Sequence, residues 1–156
     1  MSYKIRRINQ EITDKKEIKS IIENSKICRL ALCDGIIPYI VPLNFGFKDN
    51  SIYFHCAKEG RKIDILSKNR NVCVEFEEEY EIVEKEVACD WTCYYRSVIA
   101  FGTAEILTDY DEKLKALKIL MSQYSSKDYS FTDNQISKVA IIRVKIEAMT
   151  GKKLEG

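Results

Sequence analysis

The chain has 156 residues, the size of one domain, and a chain of that length can bury roughly 68–70% of its unfolded surface. Its 25 Lys and Arg against 24 Asp and Glu leave a net charge of +1, which gives no electrostatic case for a nucleic-acid partner. The start, Met1-Ser2-Tyr3-Lys4-Ile5-Arg6-Arg7, lacks the apolar run of a signal peptide, and no stretch approaches the roughly 18 apolar residues of a membrane span; the expectation is a cytoplasmic protein with no membrane partner.

In chain order, residues 14–25 read as an amphipathic helix, with Asp14 able to cap it, Glu17 three residues later, and Ile18, Ile21 and Ile22 forming one apolar stripe. Strands follow over 27–33 and 36–47, flanking Asp34-Gly35, a pair suited to the positive φ angles of a tight hairpin. A strand over 51–57 follows the polar turn Lys48-Asp49-Asn50. Two more, over 71–78 and 82–89, are expected on either side of Glu77-Glu78-Glu79. Residues 96–107 read as a long strand with Gly102 as a bulge, and 111–124 as a helix presenting Leu114, Leu117, Met121 and Tyr124 on one face. The last strand, 139–148, alternates Ile142, Val144 and Ile146 inward against Arg143, Lys145 and Glu147. Seven short strands and few helices predict a mainly β (α+β) fold, an antiparallel barrel with peripheral helices, with 1–156 as a single domain.

Six cysteines, at positions 28, 33, 56, 73, 89 and 93, lie mostly within apolar runs, as buried reduced thiols do. Cys89 and Cys93 are four apart with His55 distant in sequence, which is not the paired spacing of a structural zinc site, so no metal is expected.

The segment carrying most chemistry is Tyr53-Phe54-His55-Cys56-Ala57-Lys58-Glu59-Gly60-Arg61-Lys62-Ile63-Asp64, a strand running through Gly60 into a helix. A helix N-terminus presents free N–H groups and a positive dipole end, so cations there are disfavoured by about 0.3–1 kcal/mol each. Arg61 and Lys62 stand where Asp or Glu would suit better. A bound phosphate reverses the sign by accepting the N–H groups and pairing with both cations; the alternative is that both side chains simply reach into solvent. A second clue is Pro38-Tyr39-Ile40-Val41-Pro42-Leu43-Asn44-Phe45. Two prolines confine this strand to an edge or a bulge, where groups such as the Asn44 amide become free for the rim of a flat heterocycle; edge protection is the alternative.

Three ordered blocks, Pro42-Leu43-Asn44-Phe45-Gly46, the His55 to Lys62 segment, and Tyr95-Arg96-Ser97-Val98-Ile99-Ala100-Phe101-Gly102, closely resemble the nitroimidazole-resistance (Nim) branch of the pyridoxamine 5′-phosphate oxidase-like flavoproteins. The resemblance spans essentially the whole chain. It implies a Greek-key-like split β-barrel, forming a homodimer with FMN in a cleft at the subunit interface. By position, Arg61 and Lys62 would grip the phosphate, the isoalloxazine would lie along Pro42, Leu43 and Asn44, and His55, Cys56 and Ala57 would sit beneath or beside it. Ser97 matches a position near the cofactor, and Trp91 and Tyr95 would close the pocket from the partner subunit. His55 matches an active-site position of the resistance proteins, where it would orient substrate or relay a proton; the bland alternative is a strand histidine satisfied by its neighbours. The implied activity is transfer of electrons from reduced flavin to a small organic acceptor such as a nitro-aromatic. The alternatives are a flavin-binding sensor or storage module without turnover, and a pyridoxamine 5′-phosphate oxidase proper.

Overall fold

The computed structural model describes residues 5–156 apart from the side chain of Glu79. Residues 1–4 of the basic start, and the Glu79 side chain of the acidic segment, lie outside the described residues. After a two-residue strand β1 (Glu11–Ile12), helix α1 (Lys15–Asn24) begins where the Asp14 carboxylate accepts from the Lys16 amide at 2.8 Å. Its Ile18, Ile21 and Ile22 are buried, so the expected stripe is the face that packs on the barrel core.

Strands β2 (Cys28–Asp34) and β3 (Ile37–Leu43) form the expected hairpin, one residue out of step. Asp34 pairs with Ile37, so the turn is Gly35-Ile36 rather than Asp34-Gly35. Only Gly35 takes a positive φ, 63°, which suits a turn with glycine first and lets Asp34 stay in the ladder. The expected single strand over 36–47 is broken at Asn44-Phe45. Beyond the break, β4 (Gly46–Lys48) reverses through Asp49 and Asn50, both left-handed, into β5 (Ser51–Cys56). Helix α2 (Arg61–Lys68) follows.

The two strands expected over 71–78 and 82–89 are instead one strand, β6 (Asn71–Val83), and a loop with a 3₁₀ turn at Ala88–Asp90. The acidic segment needs no solvated turn because neighbours compensate it: Glu77 pairs with Arg29 at 3.5 Å and Glu78 with Arg96 at 3.7 Å. After a register shift at 78–80, the ladder runs on against β7 (Thr92–Leu107). Helices α3 (Tyr110–Ser122) and α4 (Asp133–Lys138) precede β8 (Ala140–Leu154), which continues well past the expected residue 148. The bulge at Gly102 is present where β7 meets β8. A Cβ there would lie 2.2 Å from the Lys145 carbonyl oxygen, so only glycine fits.

All the strands pair antiparallel in one sheet, in the order β3-β2-β6-β7-β8-β5-β4, with β1 added to β8. The two ends of that path, β3 and β4, are joined by the Asn44-Phe45 corner with no ladder between them, which is the split of a split antiparallel β-barrel. The barrel interior holds Phe45, Phe54, Phe76 and the Ile142, Val144, Ile146 row, with Phe45 and Phe76 edge-to-face at 4.9 Å. A smaller cluster, including Leu107, Leu117, Leu120, Ile136 and Ile141, seats α3 and α4 on the outside of the sheet. Each fully buried side chain of this kind contributes about 1.5–3 kcal/mol. No helix among the described residues is long and apolar enough to cross a membrane.

Candidate functional site

Strand β5 divides the site in two because successive side chains point to opposite faces. Cys56 turns inward beside Lys62, and His55 turns outward into a cavity under α3 and α4. The chain then leaves the strand through Ala57, which is exposed, and reaches Gly60.

Gly60 is the N-cap of α2, with φ 118° and ψ 167°, and contributes no capping side chain. The first N–H groups of α2 accordingly have no capping side chain from Gly60, and a Cβ built on Gly60 would meet nothing within 4 Å. Arg61 and Lys62 flank this opening, and among the described residues neither pairs with a carboxylate. The Arg61 guanidinium lies over the Tyr39 ring, 4.8 Å from its centroid, which holds the cation at the opening. Burial pushes the Cys56 thiol up while the Lys62 ammonium pulls it down, so the sulfur beside the corner is a neutral thiol at neutral pH. Free amides, two unneutralised cations and open space fit a phosphate group.

The prolines stand where ladder geometry requires. β3 pairs only with β2, so Pro38 and Pro42 are on an edge strand opposite Cys33 and Arg29. Pro42 and Asn44 are exposed and Leu43 is half-buried against the core. At the corner, the Phe45 amide donates to the Tyr124 hydroxyl at 2.9 Å, and that hydroxyl donates to the Lys26 carbonyl at 3.0 Å. The Asn44 backbone is left outside both ladders.

Asn44 and His55 meet at a cavity of about 460 Å³ walled by Leu117, Met121, Phe131 and Val139 with Tyr124 and Gln135. The His55 imidazole hydrogen-bonds to no described residue and lines the cavity from the strand side.

Trp91, Tyr95 and Ser97 do not line this cavity. His55 pairs with Ile141, which pairs with Leu107 at the far end of β7. Across the other side of the barrel the registers run from Leu43 through Cys28 and Phe76 to Val98, the neighbour of Ser97. Trp91 sits in the loop at the end of the β6–β7 ribbon, half exposed, its indole N–H donating to the Lys85 carbonyl at 2.8 Å. Tyr95 is half-buried under the Lys152 ammonium, 5.3 Å from the ring centroid, and Ser97 stands between Glu77 and Lys152 in the ladders.

All six cysteines are free; burial holds Cys28 as a thiol with its pKa pushed up to about 12, and Cys89 is exposed. Among the described residues no three His, Cys, Asp or Glu side chains gather as a metal site would require.

Sequence reasoning missed Tyr39, Tyr124 as a corner latch, and α4 with Phe131, Gln135 and Val139. A signal for α4 was present: Thr132-Asp133-Asn134-Gln135 is a capping box, with the Thr132 hydroxyl accepting from the Gln135 amide and the Gln135 side chain accepting from the Thr132 amide.

A family model described as pyridoxamine 5′-phosphate oxidase matches residues 14–153. The chain belongs to the pyridoxamine 5′-phosphate oxidase family. Among solved structures, it is similar to a putative 5-nitroimidazole antibiotic resistance protein from Bacteroides thetaiotaomicron, with 34% identity over 92% of this chain and 86% of that one and a TM-score of 0.83. The fold is shared by the flavocytochrome Anf3 from Azotobacter vinelandii, 19% identical over 98% of this chain and 73% of that one, TM-score 0.86. It is also shared by an FAD and haem binding protein from Mycobacterium smegmatis, 18% identical over 94% and 74%, TM-score 0.84. No curated protein sequence matches the chain.

Proposed function

We propose that residues 1–156 form a single FMN-binding domain that acts as a cytoplasmic homodimer and passes electrons from reduced flavin to a small organic acceptor such as a nitro-aromatic. The observation that carries this reading is the corner at Gly60, where Arg61 and Lys62 stand unneutralised around free helix amides. FMN ends in a phosphate of the charge and size that corner accepts. The redox chemistry belongs to the cofactor when bound, and the chain supplies position and electrostatics.

The remaining roles belong to the same reading. The exposed edge at Pro42, Leu43 and Asn44 offers backbone groups to the rim of the ring system, with His55, Cys56 and Ala57 continuing the surface. His55 holds a proton donor at the mouth of the cavity, where it orients an acceptor or gives it a proton. Trp91, Tyr95 and Ser97 do not line the His55 cavity of their own chain; in this reading Ser97 stands near the cofactor and Trp91 and Tyr95 close the pocket from a partner subunit. The 34% identity to a nitroimidazole resistance protein favours a nitro-aromatic acceptor. A pyridoxamine phosphate substrate is less well supported, because no lysine or arginine lines the cavity.

Stopped-flow mixing of photoreduced protein with a nitroimidazole tests the reading. His55→Ala should keep its flavin yet reoxidise about 10²–10⁴-fold more slowly if the imidazole is the general acid, with oxygen as acceptor affected far less. His55→Gln should restore orientation without proton transfer. Equal rates for wild type and His55→Ala would make the histidine structural and favour a flavin-holding module without turnover.

A further inference from the structure

We propose that the cleft between helix α3, the end of strand β4 and the loop after α3 is an anion site that takes a di- or triphosphate group, separate from the corner at Gly60. It encloses about 500 Å³, room for a small ligand, and Lys48, Lys115, Lys118 and Lys127 line it. In a chain whose net charge is only +1, four cations around one cleft are a segregation of charge, and a concave wall of one sign concentrates its field on whatever enters.

The fold, rather than the local sequence, brings these cations together. A Cβ on Gly46 would lie 2.8 Å from the Ile119 carbonyl, so β4 runs directly against α3. Lys48, two residues on, leaves the strand on the same side as Gly46 and so toward the helix. Lys115 and Lys118 are three apart on α3, which puts them on one face, and Lys127 comes from the loop that follows. Like charges at such spacing oppose folding, and among the described residues Lys48, Lys115 and Lys127 pair with no carboxylate. Lys118 has Asp128 at 3.7 Å, but that side chain is 88% exposed, so water screens the pair.

The remaining lining suits the same ligand. The Ser126 hydroxyl hydrogen-bonds to no described residue and adds a donor. Met121 gives an apolar wall beside the ring of Tyr129. A run of two or three phosphates spreads its charge along a chain, which matches cations arriving from three separate elements, whereas a single phosphate meets fewer of them. Each ammonium is a compact point charge on a flexible stem, so the lysines can follow such a chain without a fixed bidentate geometry.

Isothermal titration of tripolyphosphate and of inorganic phosphate, at about 0.1 M salt, tests this on wild type, Lys115→Ala/Lys118→Ala and Arg61→Ala/Lys62→Ala. Wild type should bind tripolyphosphate at least about tenfold more tightly than phosphate, a difference of about 1.4 kcal/mol. Lys115→Ala/Lys118→Ala should lose at least about tenfold of that affinity, and since both positions are exposed on a helix its urea midpoint should match wild type. Arg61→Ala/Lys62→Ala should keep the affinity within about twofold, whether or not the Gly60 corner holds FMN. Such a group has two sources, a nucleotide and free oligophosphate. Tighter binding of adenosine diphosphate than of pyrophosphate would assign the nucleotide, with its base on Tyr129; equal or weaker binding would assign the free ion, and both support the site. Equal affinity for tripolyphosphate and phosphate would overturn the proposal. So would undiminished binding by Lys115→Ala/Lys118→Ala, or its loss in Arg61→Ala/Lys62→Ala, which would return the anion to the Gly60 corner.

Discussion

The guanidinium of Arg61 stacks on the ring of Tyr39, 4.8 Å from its centroid, so a residue of the edge strand holds a cation at the N-terminus of helix α2. The stack, between residues 22 apart in sequence, joins two parts of the proposed site, the Pro42 edge and the Gly60 corner. It also answers why an arginine tolerates a helix start that repels it: the electron-rich face offsets part of the unfavourable dipole.

Tyr39→Ala should therefore weaken FMN binding by about 0.5–1 kcal/mol, a loss of roughly two- to fivefold in affinity, because Arg61 must then be ordered by the phosphate alone. Tyr39→Phe keeps the aromatic face and should bind nearly as wild type. Fluorescence titration of FMN against both variants measures the difference.

Trp91 and Tyr95 do not line the His55 cavity of their own chain, which leads to an expectation about assembly. The protein should sediment as a dimer at micromolar concentration, and the dimer should be the species that holds FMN. Tight FMN binding by a monomer would contradict a cleft shared between subunits.

Acid stability should depend on Glu17. Its carboxyl is held below the usual carboxylate range by the Lys153 ammonium, which donates to it at 2.8 Å, with Arg96 adding to the effect. A folded-state pKa below the unfolded one gives stability that is complete well above pH 4 and is lost as pH falls through the folded value. The contribution is about 1 kcal/mol or less, because water screens the pair. Glu17→Gln should lower the urea midpoint at pH 7 and bring it close to that of wild type near pH 3. An equal deficit at both pH values would assign the effect to packing instead.

Much of the fold was legible from local signals. The α1 stripe, the Gly102 bulge and the Ile142, Val144, Ile146 alternation are dictated by periodicity and by one residue type that alone fits its place. The errors came where long-range pairing overrode local reading. Glu77 and Glu78 look like a solvated turn until Arg29 and Arg96 arrive from neighbouring strands, and nothing within residues 71–89 announces those partners. The hairpin slipped by one residue because Asp34-Gly35 and Gly35-Ile36 are both workable turns, and only the β2–β3 register distinguishes them. In the site, Gly60, Arg61 and Lys62 were readable because their sequence violates helix electrostatics. Tyr39 and Tyr124 were not, since an aromatic residue in a strand or at a helix end carries no local mark of the cation or corner it will hold.

The central claim is that the Gly60 corner grips the phosphate of FMN, and isothermal titration of FMN into wild type and Arg61→Ala/Lys62→Ala tests it most directly. Each lost charge-assisted hydrogen bond should cost about 1.5–3 kcal/mol, so the double variant should bind at least about a hundredfold more weakly. Its flavin-free form should unfold at the wild-type temperature or slightly above, since two cations leave a helix N-terminus that disfavours them. Unchanged FMN affinity in the double variant would put the phosphate elsewhere and contradict the account.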